Sequence, residues 1–149
     1  MTAPAAVPPA AVPPTAGPGP AALPGTGVEW VVEAFGADVE RLTSVEALAA
    51  MVDAMVGALG LTPVGDARWH RFPASGAAAG TAVGGVTGLV LLAESHLAVH
   101  TFPEHGSLCL NLFCCAPRPE WDFAAGLAAA VGAERVRVRR VTRPYAPTV

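Results

Sequence analysis

Three apolar segments of strand length follow one another closely in the second half of the chain, at 86–93, 97–102 and 108–114. Short turns separate them, and the last segment is apolar almost throughout. A continuous apolar run bounded by turns is typical of a buried strand. The pattern therefore predicts consecutive buried strands, which constrains the fold more than any other feature of the chain.

Further elements are predicted on both sides of these strands. Ser44 is placed to cap a helix over 45–59, where apolar residues recur at helical spacing, and Gly60 is placed to end it. A second helix is predicted over 121–131, and strands over 28–35, 62–72 and 134–140, with a small-residue loop at 75–85. The order β-α-β-β-β-β-α-β indicates an α+β fold, a two-layer α/β sandwich with helices on one face of a mostly antiparallel sheet.

The N-terminal segment differs in composition from the rest. Residues 1–26 hold eight of the fifteen prolines, interleaved with Ala and Gly, and we expect a disordered, partly polyproline-like tail before a single domain at 27–149. Residues 1–28 carry no charged side chain, so the charged start of a secretory signal is missing. Residues 72–93 are uncharged but broken by glycines, which argues against a membrane helix. We therefore expect a cytoplasmic protein.

Composition excludes several classes of function. The chain has no lysine, and all nine basic residues are Arg, so it cannot hold pyridoxal phosphate through a lysine or form a P-loop. A net charge of −3 gives no general attraction for nucleic acid or an anionic membrane. The three cysteines, crowded between 109 and 115, indicate reduced thiols rather than a disulfide framework. No Cys or His spacing predicts a metal site.

The residues with the most chemical content lie between and within the predicted strands, at 94–97 (ESHL) and 99–104 (VHTFPE). A serine followed by histidines one and five positions later is common at turns, and the spacing alone favours no function. A serine hydrolase would need an acid, an oxyanion hole and a G-x-S-x-G turn, and that turn is missing from the sequence.

Together these residues resemble the self-cleavage motif of the short prokaryotic S-adenosylmethionine decarboxylases. The resemblance extends to 69–72 (WHRF), 112–115 (LFCC) and 135–138 (RVRV), and covers about residues 27–145. It implies that the Ser95 hydroxyl attacks the carbonyl of Glu94, and that elimination then cuts the chain into a β chain, 1–94, and an α chain, 95–149. A strained tight turn is suited to that attack.

The resemblance also implies the cofactor and the groups that act around it. Ser95 becomes a pyruvoyl group, which forms a Schiff base with the substrate amine. His100 corresponds to the base that drives the elimination, and Thr87 stands where the family has a serine whose hydroxyl assists processing. Cys115 corresponds to the proton donor, a role open to a thiol at neutral pH.

On the substrate side, Glu104 corresponds to the acid that binds the ribose hydroxyls, Phe72 to an aromatic that stacks on adenine, and Glu33 to a first-strand acid near the active site. Two residues depart from the family pattern. Asn111 replaces the usual Asp, and Glu29 replaces the usual His. Loss of a negative charge at Asn111 weakens the expectation of a cationic substrate.

Several other side chains have simpler interpretations. Free cysteines are often buried, so Cys109 and Cys114 are expected in the core. Trp30 and Trp69 are expected to pack rather than to stack on a ligand. The arginines at 135, 137 and 139 alternate with valines and are expected on a solvated strand face.

The leading hypothesis is thus decarboxylation of S-adenosylmethionine, which yields an aminopropyl donor for spermidine synthesis, by a homodimer of cleaved protomers whose site is completed across the interface. A second hypothesis keeps the pyruvoyl chemistry but changes the substrate to arginine or ornithine. A third is a non-catalytic paralogue that serves as a partner or regulator.

Overall fold

Six strands form one antiparallel sheet in the computed structural model of the chain, which describes residues 25–74 and 83–147. The strands are β1 (Thr26–Phe35), β2 (Arg68–Arg71), β3 (Val86–Leu92), β4 (Ser95–Phe102), β5 (Ser107–Cys114) and β6 (Arg135–Pro144). Their spatial order is β2-β3-β4-β5-β1-β6. The predicted antiparallel sheet is confirmed, and β1 lies between β5 and β6.

The helices follow local capping signals. They are α1 (Val39–Thr43), α2 (Val45–Ala58) and α3 (Phe123–Val131), with a single 3₁₀ turn at Pro103–His105. Ser44 caps α2 as predicted, because its side chain accepts a hydrogen bond from the N–H of Ala47. The second helix begins at Phe123 rather than at 121, since Asp122 is its N-cap. None of the helices in the described ranges is long and apolar enough to span a bilayer.

One face of the sheet packs against the helices and forms the core. Alternate residues of β1 and β5 point to this face and are buried, as strand geometry requires. They meet the apolar side of α2 and the α3 residues Phe123, Leu127 and Val131 in one cluster. Trp30 packs here with its ring centroid 6.4 Å from that of Phe123, which confirms its predicted packing role. The two-layer α/β sandwich is therefore confirmed.

The opposite face, called the open face below, has no helix over it in the part of the chain that the structure describes. Its residues alternate with the core residues along each strand. They include Thr87, Leu89 and Leu91 of β3; His96, Ala98, His100 and Phe102 of β4; Cys109, Asn111 and Phe113 of β5; Glu29, Val31 and Glu33 of β1; and Arg137, Arg139 and Arg143 of β6. Thr87, His100, Cys109 and Glu33 therefore share a single surface, whereas Ser95 and Cys115 lie at the ends of their strands.

One predicted strand is largely wrong. Of the segment 62–72, only Arg68–Arg71 forms a strand, which is β2. Pro63 makes an isolated bridge to Leu92, and Gly65 adopts a φ of 75°, which ends any regular extension there. The backbone N–H of Thr62 is bonded to a side chain instead of a neighbouring strand. The predicted β2 is thus shortened because its first half supports a turn.

Trp69 lies over a glycine on the neighbouring strand. A Cβ on Gly88 would come within 2.2 Å of the Trp69 ring, so the ring occupies the space that a side chain would fill. Its predicted packing role is confirmed. The predicted tail up to residue 24, and residues 75–82 of the predicted loop, lie outside the described residues. The first strand already begins at Thr26, before the predicted domain start at residue 27.

Candidate active site

Ser95 begins β4, immediately after the two-residue turn that follows β3. Its φ of 153° makes it the one non-glycine residue with a positive φ in the described ranges. A side chain at such a backbone angle costs of the order of 1–3 kcal/mol and persists where the surrounding structure enforces it. The strain predicted for the turn therefore falls on Ser95 itself, next to the peptide bond that joins it to Glu94.

The Ser95 hydroxyl contacts the ring of the next residue. The distance from Ser95 Oγ to His96 Nδ1 is 3.0 Å, and the His96 ring is tilted against Phe113 with centroids 6.0 Å apart. The sequence pattern assigned no role to His96. In a regular strand, the side chains of consecutive residues point to opposite faces, so a contact between Ser95 and His96 is not expected. The positive φ of Ser95 allows the two side chains to meet.

The residue before Ser95 is fixed at both its side chain and its carbonyl. The Glu94 carboxylate accepts hydrogen bonds from the N–H of Thr62 at 3.0 Å and from Arg118 at 3.1 Å. The Thr62 N–H is the main cause that holds the pKa of Glu94 below its ordinary value, and the Glu94 N–H, the Thr62 hydroxyl and the Arg118 guanidinium add smaller effects, so this carboxylate stays ionised at neutral pH. The carbonyl oxygen of Glu94 accepts from the N–H of Cys115 at 2.9 Å. The carbonyl that Ser95 would attack is therefore held in place.

The three cysteines have different environments. Cys115 is exposed just after β5, whereas Cys114 is fully buried in the core, as predicted. Burial raises the pKa of the Cys114 thiol to about 11. The prediction that Cys109 lies in the core is wrong, because it is exposed on the open face beside Glu33. Partial burial, and then the Glu33 carboxylate, raise the pKa of the Cys109 thiol. Of the two adjacent thiols, only Cys115 is accessible to a reactant.

These environments predict the pattern of thiol alkylation. At pH 8 a thiol with a pKa of about 11 is only ~0.1% ionised, so Cys114 should react with iodoacetamide at least ~100-fold more slowly than Cys115. Peptide mapping by mass spectrometry measures both rates in the folded protein. Cys115→Ala should remove the fast adduct, and Cys114→Ala should leave it unchanged. Rapid labelling of Cys114 in folded protein would contradict the assignment.

Thr87 and His100 form a cross-strand pair on the open face. Their Oγ1 and Nδ1 atoms are 2.9 Å apart, and the Thr87 hydroxyl also donates to the carbonyl of Val99 at 3.3 Å. A hydroxyl proton directed to Val99 would leave the Thr87 oxygen to accept from Nδ1–H of His100. In that tautomer, Nε2 of His100 is the atom that can take a proton.

The pair belongs to a row of polar side chains that crosses the sheet. In register with His100 are Cys109 on β5 and Glu33 on β1. His100 lies five residues along β4 from Ser95, which places it about 16 Å away at the rise of a strand. Within one chain, therefore, the structure does not bring His100 and Thr87 to Ser95. No group of three or more His, Cys, Asp and Glu side chains in residues 25–74 and 83–147 is arranged to hold a metal ion.

The residues predicted to bind substrate lie with this row rather than with Ser95. Glu104 is exposed on the 3₁₀ turn that follows β4. Phe72 is exposed just after β2, with its ring edge-on to that of His70 at 4.7 Å. Glu33 pairs with Arg139 through one carboxylate oxygen, and its other oxygen is buried without a hydrogen-bond partner among the described residues. An unpaired buried acceptor is costly, so this oxygen is suited to a donor from outside the chain.

Asn111 and Glu29, the two residues that depart from the family pattern, are hydrogen-bonded to each other. Asn111 donates a hydrogen bond from Nδ2 to Oε1 of Glu29 at 2.5 Å, and Arg143 pairs with Oε2 of Glu29 at 3.0 Å. The negative charge expected at Asn111 is therefore present on the neighbouring strand. The sequence could not reveal this exchange, because the two positions are separated by 82 residues and meet only through the pairing of β1 with β5.

Comparisons with known proteins agree on one family. A family model described as S-adenosylmethionine decarboxylase matches residues 28–144. The S-adenosylmethionine decarboxylase proenzyme of Thermoplasma acidophilum is 28% identical over 120 residues, which cover 80% of this chain and 84% of the relative. The corresponding proenzyme of a Geobacillus species is 31% identical over 120 residues, covering 76% of this chain and 86% of the relative.

A solved structure shares the fold. The crystal structure of the adenosylmethionine decarboxylase from Aquifex aeolicus matches with a TM-score of 0.63 and 22% sequence identity. The match covers 81% of this chain and 92% of that chain. The shared architecture thus extends over almost the whole of the solved protein.

Proposed function

The chain belongs to the S-adenosylmethionine decarboxylase family, and we propose that it is a proenzyme that cuts its own backbone and then decarboxylates S-adenosylmethionine. The observation that carries the proposal is the strained Ser95, whose hydroxyl contacts an imidazole beside the anchored carbonyl of Glu94. This arrangement suits attack of the hydroxyl on that carbonyl, which turns the peptide bond into an ester. Elimination then releases residues 1–94 with a free carboxylate on Glu94 and leaves a dehydroalanine at 95. Water replaces the nitrogen of that residue, ammonia leaves, and 95–149 keeps a pyruvoyl group at its start.

The elimination needs a base for the proton on the α-carbon of Ser95, and we assign it to Nε2 of His100. Thr87 is hydrogen-bonded to Nδ1 of the same ring, so Nε2 lies on the side of the ring away from Thr87. Ser95 at the start of β4 would carry the pyruvoyl group, and the chemistry this group would supply is a carbonyl that acts as an electron acceptor when CO₂ leaves the substrate. The exposed thiol of Cys115 then returns a proton to the substrate α-carbon, a role that burial denies to Cys114.

Three side chains are proposed to hold the substrate. Glu104 accepts hydrogen bonds from the ribose hydroxyls, and the exposed ring of Phe72 stacks on adenine. The unpaired oxygen of Glu33 offers an acceptor to the amino-acid end of the substrate. The carboxylate of Glu29, held by Asn111, keeps on the open face the negative charge that the substitution at 111 removes, and a cationic substrate would share this carboxylate with Arg143.

A second copy of the chain is proposed to complete the site. Ser95 and the His100 row are about 16 Å apart in one chain, too far for proton transfer. The open face also exposes large apolar side chains, with Leu89, Leu91 and Phe102 at 49%, 56% and 40% of their full exposure. Two open faces related by a two-fold axis would bury these residues and bring His100 of one protomer to Ser95 of the other.

The size of the open face suits such a homodimer. Its six strands span roughly 24 Å, and β5 is roughly 26 Å long at standard strand spacings. A stable interface typically covers about 800 Å² on each partner, and a face of these dimensions comes close to that area. The three free cysteines fit a reducing cytoplasm, where the product would serve as the aminopropyl donor for spermidine.

Turnover on protein of verified mass tests the proposed function. Intact-mass measurement should find chains of 1–94 and 95–149, and CO₂ release should be greatest from S-adenosylmethionine in a panel with arginine and ornithine. Cys115→Ser serves as the control, because it should be cut normally but lose about 10²–10⁴-fold in turnover. Preference for arginine or ornithine would overturn the substrate assignment, and cleavage without turnover of any of the three would favour a non-catalytic role.

A further inference from the structure

The self-cleavage proposed above requires a base for the Ser95 hydroxyl as well as one for the later elimination. We propose that His96 is the first of these bases, so that two histidines divide the processing reaction between them. This inference rests on the proposed function and adds a step to it. It assigns a catalytic task to a residue to which the sequence pattern gave none.

Distance selects His96 for the first step. Its Nδ1 is 3.0 Å from Ser95 Oγ, within reach for direct proton transfer. The Nδ1 atom of His100 is bonded to Thr87, about 16 Å along β4. In a single folded chain, His96 is therefore the imidazole that meets the nucleophile before any partner has docked.

The His96 ring is held in this position by its neighbours on the open face. It lies in register between Leu91 on β3 and Phe113 on β5, and its plane is tilted by 59° against the Phe113 ring. A residue on each neighbouring strand therefore flanks the ring. Nδ1 can accept the hydroxyl proton when the neutral ring carries its own proton on Nε2.

The step balances without any added reactant. The Ser95 O–H proton moves to Nδ1 of His96 while Oγ forms a bond to the carbonyl carbon of Glu94, and the carbonyl electron pair moves onto its oxygen. When this pair returns, the C–N bond between Glu94 and Ser95 breaks, and the nitrogen takes the proton back from the His96 ring. An amide has become an ester, and His96 is again neutral.

The charge that develops on the Glu94 oxygen already has a donor. The N–H of Cys115 is 2.9 Å from that oxygen, a distance at which one preorganised donor stabilises a developing oxyanion. Thr62 and Arg118 hold the Glu94 side chain, so the acyl half cannot swing away from the attacking hydroxyl. Nucleophile, base and oxyanion donor are thus all supplied by the residues around one turn.

Hydroxylamine distinguishes the two proposed bases, because it splits esters but leaves peptide bonds intact. His100→Ala should remain uncut by itself, yet native hydroxylamine treatment should release residues 95–149 from the accumulated ester. His96→Asn keeps a hydrogen-bonding group but accepts no proton, so it should remain uncut and resist hydroxylamine. Because the ester has the same mass as the amide, its formation is followed as the amount of 95–149 that hydroxylamine releases over time. We expect the loss of His96 to slow it by at least about 10²-fold.

Controls separate this inference from the proposed function. His105→Asn, which changes an exposed histidine on the 3₁₀ turn, should be cut like the wild type. In the His100→Ala background, adding His96→Gln should abolish hydroxylamine sensitivity, and circular dichroism would show that each variant is folded. If either His96 variant forms the ester at the wild-type rate, the inference is wrong while the proposed function stands. If the wild type is neither cut nor split by hydroxylamine, the proposed function itself fails.

Discussion

Ser95→Ala should give an uncut chain of 149 residues that releases no CO₂ from S-adenosylmethionine. Alanine has no hydroxyl to attack the Glu94 carbonyl, so neither the ester nor the pyruvoyl group can form. Because the chain has no lysine to supply another carbonyl cofactor, we expect activity to fall by at least about 10⁶-fold, the lower range of enzymatic rate enhancements. Intact mass and CO₂ release measure the two effects independently.

A matched serine controls for the change of side chain. Ser107 begins β5 on the same sheet, and Ser107→Ala should be cut and active like the wild type. Ser95→Ala should still fold, because alanine is smaller than serine and meets the same backbone requirement at this position. Cleavage or normal CO₂ release by Ser95→Ala would contradict the whole mechanism.

Mixing two inactive variants should restore cleavage. His100→Ala and Ser95→Ala should each remain uncut when expressed alone. In a mixed dimer, however, Ser95 of the first variant meets His100 of the second, so the His100→Ala chain should be cut. With random pairing of equal amounts, about half of the His100→Ala chains should be cut. The basis is the separation of about 16 Å between the two groups in one chain.

The matched control for complementation removes the donated histidine. Co-expression of His100→Ala with a chain that carries both Ser95→Ala and His100→Ala should yield no cut product. Size-exclusion chromatography must show dimers in both mixtures. If the first mixture forms dimers yet remains uncut, His100 acts within its own chain and the sheet must rearrange to bring it to Ser95.

Much of the fold could be predicted because it depends on local patterns. The apolar segments at 86–93, 97–102 and 108–114 lie within one or two residues of β3, β4 and β5. The start of α2 could be predicted from Ser44, because an N-cap side chain bonds a backbone N–H within the first turn of the helix. The prediction failed at 62–67 because that stretch contains Pro, Gly and Asp, which favour a turn, and because its backbone bonds elsewhere, as the contact between Thr62 and Glu94 shows.

The site was harder to predict, because its contacts depend on strand order and on one unusual backbone angle. The position of β1 between β5 and β6 brings Glu29 to Asn111, and no local pattern encodes that neighbour. Strand alternation places Cys109 on the same face as Asn111. The whole of this segment was predicted to be buried, and the exposure of Cys109 was therefore missed. The contact of His96 with Ser95 depends on the positive φ of the serine, which no sequence rule for strands anticipates.

The order of strands determines whether the two chains could separate after the proposed cleavage. Strands β1, β2 and β3 precede the proposed cut and β4, β5 and β6 follow it, yet β1 is hydrogen-bonded on both edges to strands from beyond the cut. The two chains would remain hydrogen-bonded in one sheet, and neither could dissociate without unfolding that sheet. Cleavage at this position would therefore follow folding and be irreversible, and the two chains of one molecule would not exchange with those of another.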